Sequence, residues 1–191
     1  ANFGYPTIRP FFSRRIGLGV PIDLGARISG NLSENWRLGI MDMQTSAVSE
    51  IGLPKQNFGV ISLQRKVFSR SSIGLMFVDK ESINYTADDP SAENTYSKFN
   101  RNVGLEYNLA SPNNLWTGKA FLLKSFSPNK LGNGITQAAH VEYKSRKWNW
   151  RIQEESVEKD YIAEVGFVPR NGYVKLSSLF GHLFFPKAGK I

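Results

Sequence analysis

Apolar and polar residues alternate along most of this 191-residue chain, in blocks that are separated by turn-forming residues. Because successive side chains of a β-strand point to opposite faces, a period of two is typical of strands with one apolar face. The clearest block is 102–109, whose apolar face carries Val103, Leu105, Tyr107 and Leu109. The pattern predicts nine strands: one begins at 36, and the others cover 22–32, 58–68, 71–79, 102–109, 115–125, 135–145, 148–157 and 173–185.

The connections between these blocks alternate in length. Short ones lie at 33–35, 69–71, 110–114 and 145–147, and long polar ones lie at 45–57, 79–98, 126–134 and 158–172. Short turns on one rim and long loops on the other are typical of outer-membrane barrels. The chain is therefore predicted to be all-β, as an antiparallel up-and-down transmembrane β-barrel or a segment of one, with about 8–10 strands.

Residues 1–191 are expected to form part of a single outer-membrane barrel domain. An odd number of strands would leave an edge open, whereas bacterial barrels close with an even number. We therefore expect that further strands, and a region before Ala1, belong to the same protein.

The alternation alone does not say which face meets lipid, since a soluble barrel that binds an apolar ligand would turn its apolar faces inward. Two features favour the membrane. Large aromatic residues lie close to the short turns, as expected for a membrane interface: Trp36, Phe68, Trp116, Trp148 and Trp150. The polar faces are rich in Asn, Ser, Thr, Gly and Gln, which suits a crowded interior better than a face exposed to water.

Three charged residues fall on the apolar face if the alternation is kept: Asp42, Arg65 and Glu154. A β-bulge near Asp42 would reset the phase. Arg65 lies near a short turn and could extend its guanidinium to the interface. Glu154 has no such explanation. In 115–125 both faces carry apolar residues, so the orientation of that strand stays open.

Composition narrows the function classes only slightly. The chain has 13 Phe, 7 Tyr, 4 Trp and no Cys, so disulfides and thiolate metal sites are excluded. No segment approaches the roughly 18 consecutive apolar residues of a spanning helix. The net charge of +8 comes from Lys and Arg scattered over polar faces and turns. No short segment concentrates basic and aromatic residues, so a nucleic-acid partner is not expected.

Candidate binding residues follow from the polar faces. Arg14 and Arg15, beside Phe11 and Phe12, could bind a carboxylate, a phosphate or a sugar, or they could pair with interior acids and fix the barrel entrance. Six further charged residues are predicted to line the interior as a charge ladder: Arg27, Lys66, Glu106, Lys119, Glu142 and Arg151. The segment 165–170 could fold as a plug.

Catalytic chemistry has weak support in the sequence. His140 lies two residues before Glu142, so a histidine-dependent hydrolase is conceivable, although a structural role in the interior is favoured. The chain has no Gly-rich phosphate loop and no cluster of metal-ligating residues, so no catalytic residues, metal or cofactor are expected.

Five strings occur in an order that resembles a known family: Phe11-Phe12-Ser13-Arg14-Arg15-Ile16-Gly17, Gly25-Ala26-Arg27-Ile28-Ser29-Gly30, Trp36 to Thr45, Arg70-Ser71-Ser72-Ile73-Gly74 and Glu164 to Arg170. Together they resemble the outer-membrane protein family known as domain of unknown function 5916. The resemblance implies a barrel that follows a domain similar to family-9 carbohydrate-binding modules, and it implies no established reaction.

The combined expectation is a bacterial outer-membrane barrel without catalytic activity, which takes part in glycan or nutrient handling or supports an envelope complex. Its expected partners are the lipid bilayer with its lipopolysaccharide, glycans and other envelope proteins. The alternative is an outer-membrane hydrolase of lipid, peptide or glycan that uses residues of the interior or rim.

Overall fold

The computed structural model describes residues 3–85, 97–128 and 132–185. These residues form nine strands: β1 Ile22–Asn31, β2 Trp36–Thr45, β3 Lys55–Val67, β4 Ser71–Ile83, β5 Phe99–Ala110, β6 Trp116–Phe126, β7 Ile135–Lys144, β8 Trp148–Val157 and β9 Tyr173–His182. Two short 3₁₀ turns lie at Ser13–Arg15 and Ser49–Ile51. The described residues include no helix with the length and hydrophobicity of a membrane span.

All nine strands belong to one antiparallel sheet, and each pairs with its neighbours in sequence order. The all-β, up-and-down architecture that the alternation predicts is therefore confirmed. In the described chain β1 and β9 do not pair with each other, so the sheet is open at both edges. The long connections lie at one end of the strands and the short turns at the other.

The boundaries of β3 and β4 differ from the prediction. β3 begins at Lys55 and β4 continues to Ile83, so Asp79 and Glu81, which were expected in a loop, lie on a strand. The alternation was hidden there because Phe58 and Val60 make both faces of β3 apolar. The acidic residues 88, 89 and 93, together with Pro90, lie outside the described residues.

The short-turn end of each strand is displaced along the strand direction, relative to the end of its neighbour, by a constant number of residues. Through the register Trp36, the first residue of β2, is level with Ile73, which is two residues inside β4. Ile73 is level with Ala120, which is four residues inside β6. Trp116 is level with Trp150, which is two residues inside β8. The stagger is therefore two residues per hairpin, or one residue per strand.

This stagger fixes the inclination of the strands relative to the line of turns. With about 3.3 Å per residue and about 4.8 Å between strands, one residue per strand corresponds to about 35°. Strands of closed barrels lean by about 35–45°. The stagger of this open sheet therefore falls in the range found in closed barrels.

The two faces of the sheet have different environments. We call the face that packs against residues 3–16 and 158–172 the inner face and the opposite one the outer face. Asn102 and Glu106 on the inner face are only 2% and 5% exposed, whereas Leu105 and Ile152 on the outer face are 53% and 51% exposed. The predicted orientation, with polar residues inside and apolar residues outside, is confirmed.

The inner face is nevertheless not uniformly polar. An apolar cluster joins it to the two covering segments and includes Phe3, Tyr5, Ile8, Phe58, Val60, Met76, Val78, Phe121, Leu123, Val157, Tyr161 and Val165. The orientation of β6 is thereby settled, since Phe121 and Leu123 are buried inside. The core of this protein thus lies between the sheet and its covering segments.

The three charged residues of the outer face have different surroundings. β2 and β3 pair without a register shift at Asp42, so the expected bulge there was wrong; the irregularity lies at Ile22/Leu24 instead. Asp42 accepts hydrogen bonds from the Asn57 amide at 3.2 and 3.3 Å. The Arg65 guanidinium lies 5.2 Å from the Trp36 ring centre. Glu154 forms no ion pair with any residue that the structure describes.

Candidate functional site

The N-terminal segment, residues 3–16, lies on the inner face and is held there by a buried ion pair. Glu106 of β5 and Lys119 of β6 are diagonal neighbours in the register, and their charged atoms are 3.0 Å apart. The Glu106 carboxylate accepts a hydrogen bond from the backbone N–H of Gly4 at 2.7 Å, and the Lys119 ammonium donates one to the Gly4 carbonyl at 3.1 Å. Two residues of the predicted charge ladder therefore anchor the chain's own backbone.

Residues 158–172, which we call the strap, are anchored in a similar way. The Lys80 ammonium, 3% exposed, pairs with Glu164 at 2.9 Å. The Asn100 side chain donates to the Ile162 carbonyl and accepts from the Glu164 N–H, both at 3.1 Å. Lys80 was not among the predicted site residues, because the strand predicted there ends at residue 79. The alternation, extended by one residue, would have found it.

The strap and the N-terminal segment also bind each other. Arg9 and Phe167 exchange two backbone hydrogen bonds, at 3.0 and 2.8 Å, and the Phe12 N–H donates to the Val165 carbonyl at 2.8 Å. Gly166 permits this approach, because a Cβ there would lie 2.3 Å from the Arg9 carbonyl oxygen. Of the predicted plug 165–170, Val165 and Gly166 are buried, whereas Phe167, Pro169 and Arg170 are exposed. The strap and the N-terminal segment together form one covering unit, which we call the plug.

His140, the candidate for catalysis, is part of this packing. Its Nδ1 and the Tyr5 hydroxyl form a 2.6 Å hydrogen bond, so the partner of His140 at this nitrogen is Tyr5. Burial raises the pKa of Tyr5 to about 12, although the positive charge of Arg151 opposes the shift. Tyr5 also contacts Phe121 edge to face at 5.1 Å. The arrangement orients the N-terminal segment on β7.

The remaining predicted ladder residues are only partly paired. Glu142 and Arg151 are opposite each other in the register, but they form no ion pair in the described structure. The Arg151 guanidinium donates to Gln153, while its buried Nε atom has no partner there. Glu155 accepts from the Tyr173 hydroxyl at 3.2 Å and lies 3.8 Å from the Lys175 ammonium. A continuous ladder is not formed.

The basic candidates near β1 are arranged differently. Arg14, Arg15, Arg27 and Lys66 are exposed, and within the described ranges none of them pairs with an acid. Arg27 lines a cavity of about 170 Å³ together with Arg37, which was not among the predicted site residues. The alternation in the sequence already places Arg37 on the inner face, because its neighbours Trp36 and Leu38 face outward.

The predicted interface aromatics lie at the short-turn end of the sheet. Trp116, Tyr143 and Trp150 form one cluster on the outer face, with ring centres 5.0 to 6.0 Å apart. Trp148 contacts Phe180 at 5.5 Å and His182 at 4.1 Å. Phe68 is 89% exposed and lies in the turn after β3 with a left-handed backbone conformation.

Beyond these aromatics an apolar band lies on the outer face of β2 to β6, whereas Gln137 of β7 and Glu154 of β8 interrupt the outer face of the following strands. Five leucines are level with one another on five consecutive strands: Leu38, Leu63, Leu75, Leu105 and Leu122. Leu75, Leu105 and Leu122 are about half exposed, at 48%, 53% and 50%. On the long-loop side the band ends in polar groups, such as the Asp79–Arg101 ion pair at 2.9 Å.

Comparisons with protein-family models, with curated proteins and with solved structures found no match for this chain. The resemblance to the family named above therefore stays a prediction.

Proposed function

We propose that this chain forms part of the wall of a bacterial outer-membrane β-barrel, with its outer face against lipid and its inner face closed by the plug. The observation that carries the proposal is the exposed apolar band of the outer face. A contiguous apolar surface across five strands has no favourable contact in water, and in a monomeric soluble protein such patches are small. Acyl chains would cover it without cost.

The height of the band supports the same conclusion. From the short-turn rim to the polar groups, the band covers eight residue steps on β4 (Ser71 to Asp79) and ten on β5 (Ser111 to Arg101). At about 3.3 Å per residue and an inclination of about 35°, these steps correspond to heights of about 22 and 27 Å. The apolar band of outer-membrane barrels is about 25 Å tall.

The ends of the band support it as well. Indole and phenol rings are favoured at membrane–water interfaces because they are apolar with one polar group. Trp36, Trp116 and Trp148 all lie at the first position of a strand, next to a short turn. We assign this rim to the periplasmic side, because short turns lie there in known barrels.

The open edges support the proposal of further strands. β1 and β9 each present an unpaired edge of ten residues, with Ile28, Val174 and Leu176 between 74% and 75% exposed. Long edges with unpaired backbone groups cannot stay open in lipid, because each unsatisfied group costs several kcal/mol. We propose that additional strands close the barrel, and that the complete protein serves glycan or nutrient handling or an envelope assembly without catalysis.

A matched pair of cysteine variants tests the membrane assignment, since the chain has no native cysteine. Ile28 and Ser29 are adjacent, both are exposed, and they lie on opposite faces of β1. We expect a spin label at Ile28→Cys in the full-length membrane protein to be relaxed by oxygen, which concentrates in lipid. A label at Ser29→Cys should instead be relaxed by a water-soluble nickel complex. Equal access of the nickel complex to both labels would refute the assignment.

A further inference from the structure

The charged residues of the inner face are divided between two regions. On β4 to β9 the inner cations Lys80, Lys119 and Lys175 each lie within 4.0 Å of an acid, whereas Arg151 and Lys144 form no ion pair with a described residue. On β1 to β3 the inner face carries the cations Arg27, Arg37 and Lys66. The acid of β1, Asp23, lies at the register shift near the long-loop end and pairs with Lys55 at 3.0 Å, so it does not pair with these three cations. Positive charge therefore accumulates in this region of the interior, and no described residue forms an ion pair with Arg27, Arg37 or Lys66.

This uncompensated region is a cavity and not a flat surface. The space of about 170 Å³ lies between the N-terminal segment, which contributes Phe11 and Ser13, and the inner faces of β1 to β4. Arg27 and Arg37 lie at its wall, Met41 and Met76 form an apolar part, and Ser29, Ser62 and Gln64 supply hydroxyl and amide groups. A cavity of roughly 150 Å³ already holds a benzene molecule, so a small organic ligand fits.

Neighbouring cations strengthen the positive field. Lys66 and Arg70 line a second depression that shares Arg37 and Gln64 with the first. Glu34 lies at the outer rim of this depression, in the turn between β1 and β2. It forms no ion pair with the described residues. The cavity and the depression together therefore contain one rim carboxylate and four cations, and their net charge is strongly positive. The cations are Arg27, Arg37, Lys66 and Arg70.

We propose that this cleft, bounded by Phe11, Ser13, Arg27, Arg37 and Gln64, binds a small organic oxyanion, a carboxylate or a phosphate on a hydroxylated carbon skeleton. Two guanidiniums match the geometry of such an anion, since each presents N–H groups in a planar fork. The hydroxyl and amide groups suit the ligand's hydroxyls, and the apolar wall favours a ligand with a carbon skeleton over an inorganic ion. The site does not depend on the membrane assignment, because it lies wholly on the inner face.

Calorimetric titration of the full-length, detergent-solubilised protein tests this site. The probes are glucuronate and glucose 6-phosphate, with glucose and inorganic phosphate as comparisons. We expect at least one of the two organic anions to bind in the millimolar range or more tightly, glucose not to bind, and added salt to weaken binding because the contact is ionic. Glucuronate and glucose 6-phosphate distinguish the carboxylate from the phosphate.

Arginine variants locate the binding. Arg27→Gln and Arg37→Gln should each raise the dissociation constant by about tenfold, the usual effect of losing one charge-assisted hydrogen bond. Arg65→Gln, which removes the same charge from the outer face of β3, should leave it unchanged. Binding of neither anion, equal binding of glucose, or equal loss in Arg65→Gln would overturn the proposal. Arg27 and Arg37 are exposed, so their variants should fold, and circular dichroism checks this.

Discussion

A single arginine at two heights on β5 gives a quantitative test of the lipid-facing surface. Leu105 and Leu109 both belong to the outer face of the same strand. The aromatic rim is marked by Ser111, whose N–H donates to the Trp116 carbonyl at 2.9 Å. Leu105 is six residues from this level and Leu109 is two, which at the inclination derived above corresponds to heights of about 16 and 5 Å.

These heights predict different costs for the same substitution. In a band about 27 Å tall on β5, Leu105 lies within about 3 Å of the middle, where an arginine costs about 2–4 kcal/mol in an outer-membrane barrel. Leu109 lies close to the interface, where the cost falls to about 0–1 kcal/mol. If the outer face met water, Leu105→Arg would change stability by about 0.5 kcal/mol at most, because the side chain is already half exposed.

The measurement is guanidinium-induced unfolding of the full-length protein refolded into lipid vesicles, followed by tryptophan fluorescence and extrapolated linearly to zero denaturant. Leu105→Ala and Leu109→Ala serve as controls for the loss of each leucine side chain. We expect Leu105→Arg to be at least about 1 kcal/mol more destabilising than Leu109→Arg after this correction. Equal costs at the two heights would refute the lipid-facing assignment of this face.

Three further predictions concern the plug. Lys119→Met should leave Glu106 buried without its cation, which costs about 3–5 kcal/mol of unfolding free energy, and should release the N-terminal segment. Faster hydrogen exchange at residues 3–16 would show this release, and Lys175→Met, which removes an exposed lysine, is the control. Gly104→Ala should cost about 1–3 kcal/mol of unfolding free energy in denaturant titration, because its Cβ would lie 2.3 Å from Leu123 and 2.8 Å from Phe3. The pKa of Tyr5 is about 12 in the folded protein and about 10 in the unfolded chain. The stability contributed by the neutral Tyr5 hydroxyl is therefore complete below pH 10 and is lost as the pH rises from 10 to 12. Protease resistance measured against pH should show this loss, and Tyr5→Phe should lack it.

The strands and their faces were predictable because alternation reports directly on a sheet with different environments on its two sides. The Leu105 face and the Glu106 face of β5 were assigned from four alternating pairs, and the structure confirms both. Alternation failed where a plug covers the inner face. Phe58, Val60 and Phe121 are apolar because they contact the plug, so their strands have two apolar faces and the ends of β3 could not be located.

The sequence predicted individual residues of the site, but it did not predict which of them contact each other. Glu106 and Lys119 were both recognised as inner-face charges, yet their pairing depends on the register between β5 and β6. Their joint partner, the Gly4 backbone, is 102 residues from Glu106 in sequence and carries no side-chain signal. A periodic pattern shows which face a residue belongs to, whereas a contact with a distant backbone segment depends on the folded path of the chain.

The N-terminal segment connects the two regions of the interior. Its first residues are fixed by the Glu106–Lys119 ion pair and by Tyr5 on His140, and its later residues Phe11 and Ser13 form a wall of the proposed anion cleft. The buried ion pairs provide little net stability, because desolvation offsets most of their attraction, but they select one position for the segment. Since Phe11 and Ser13 lie seven and nine residues after Gly4, the width of the cleft depends on that position. The ion pairs on β4 to β6 therefore define the geometry in which the unpaired charges on β1 to β3 can meet a ligand.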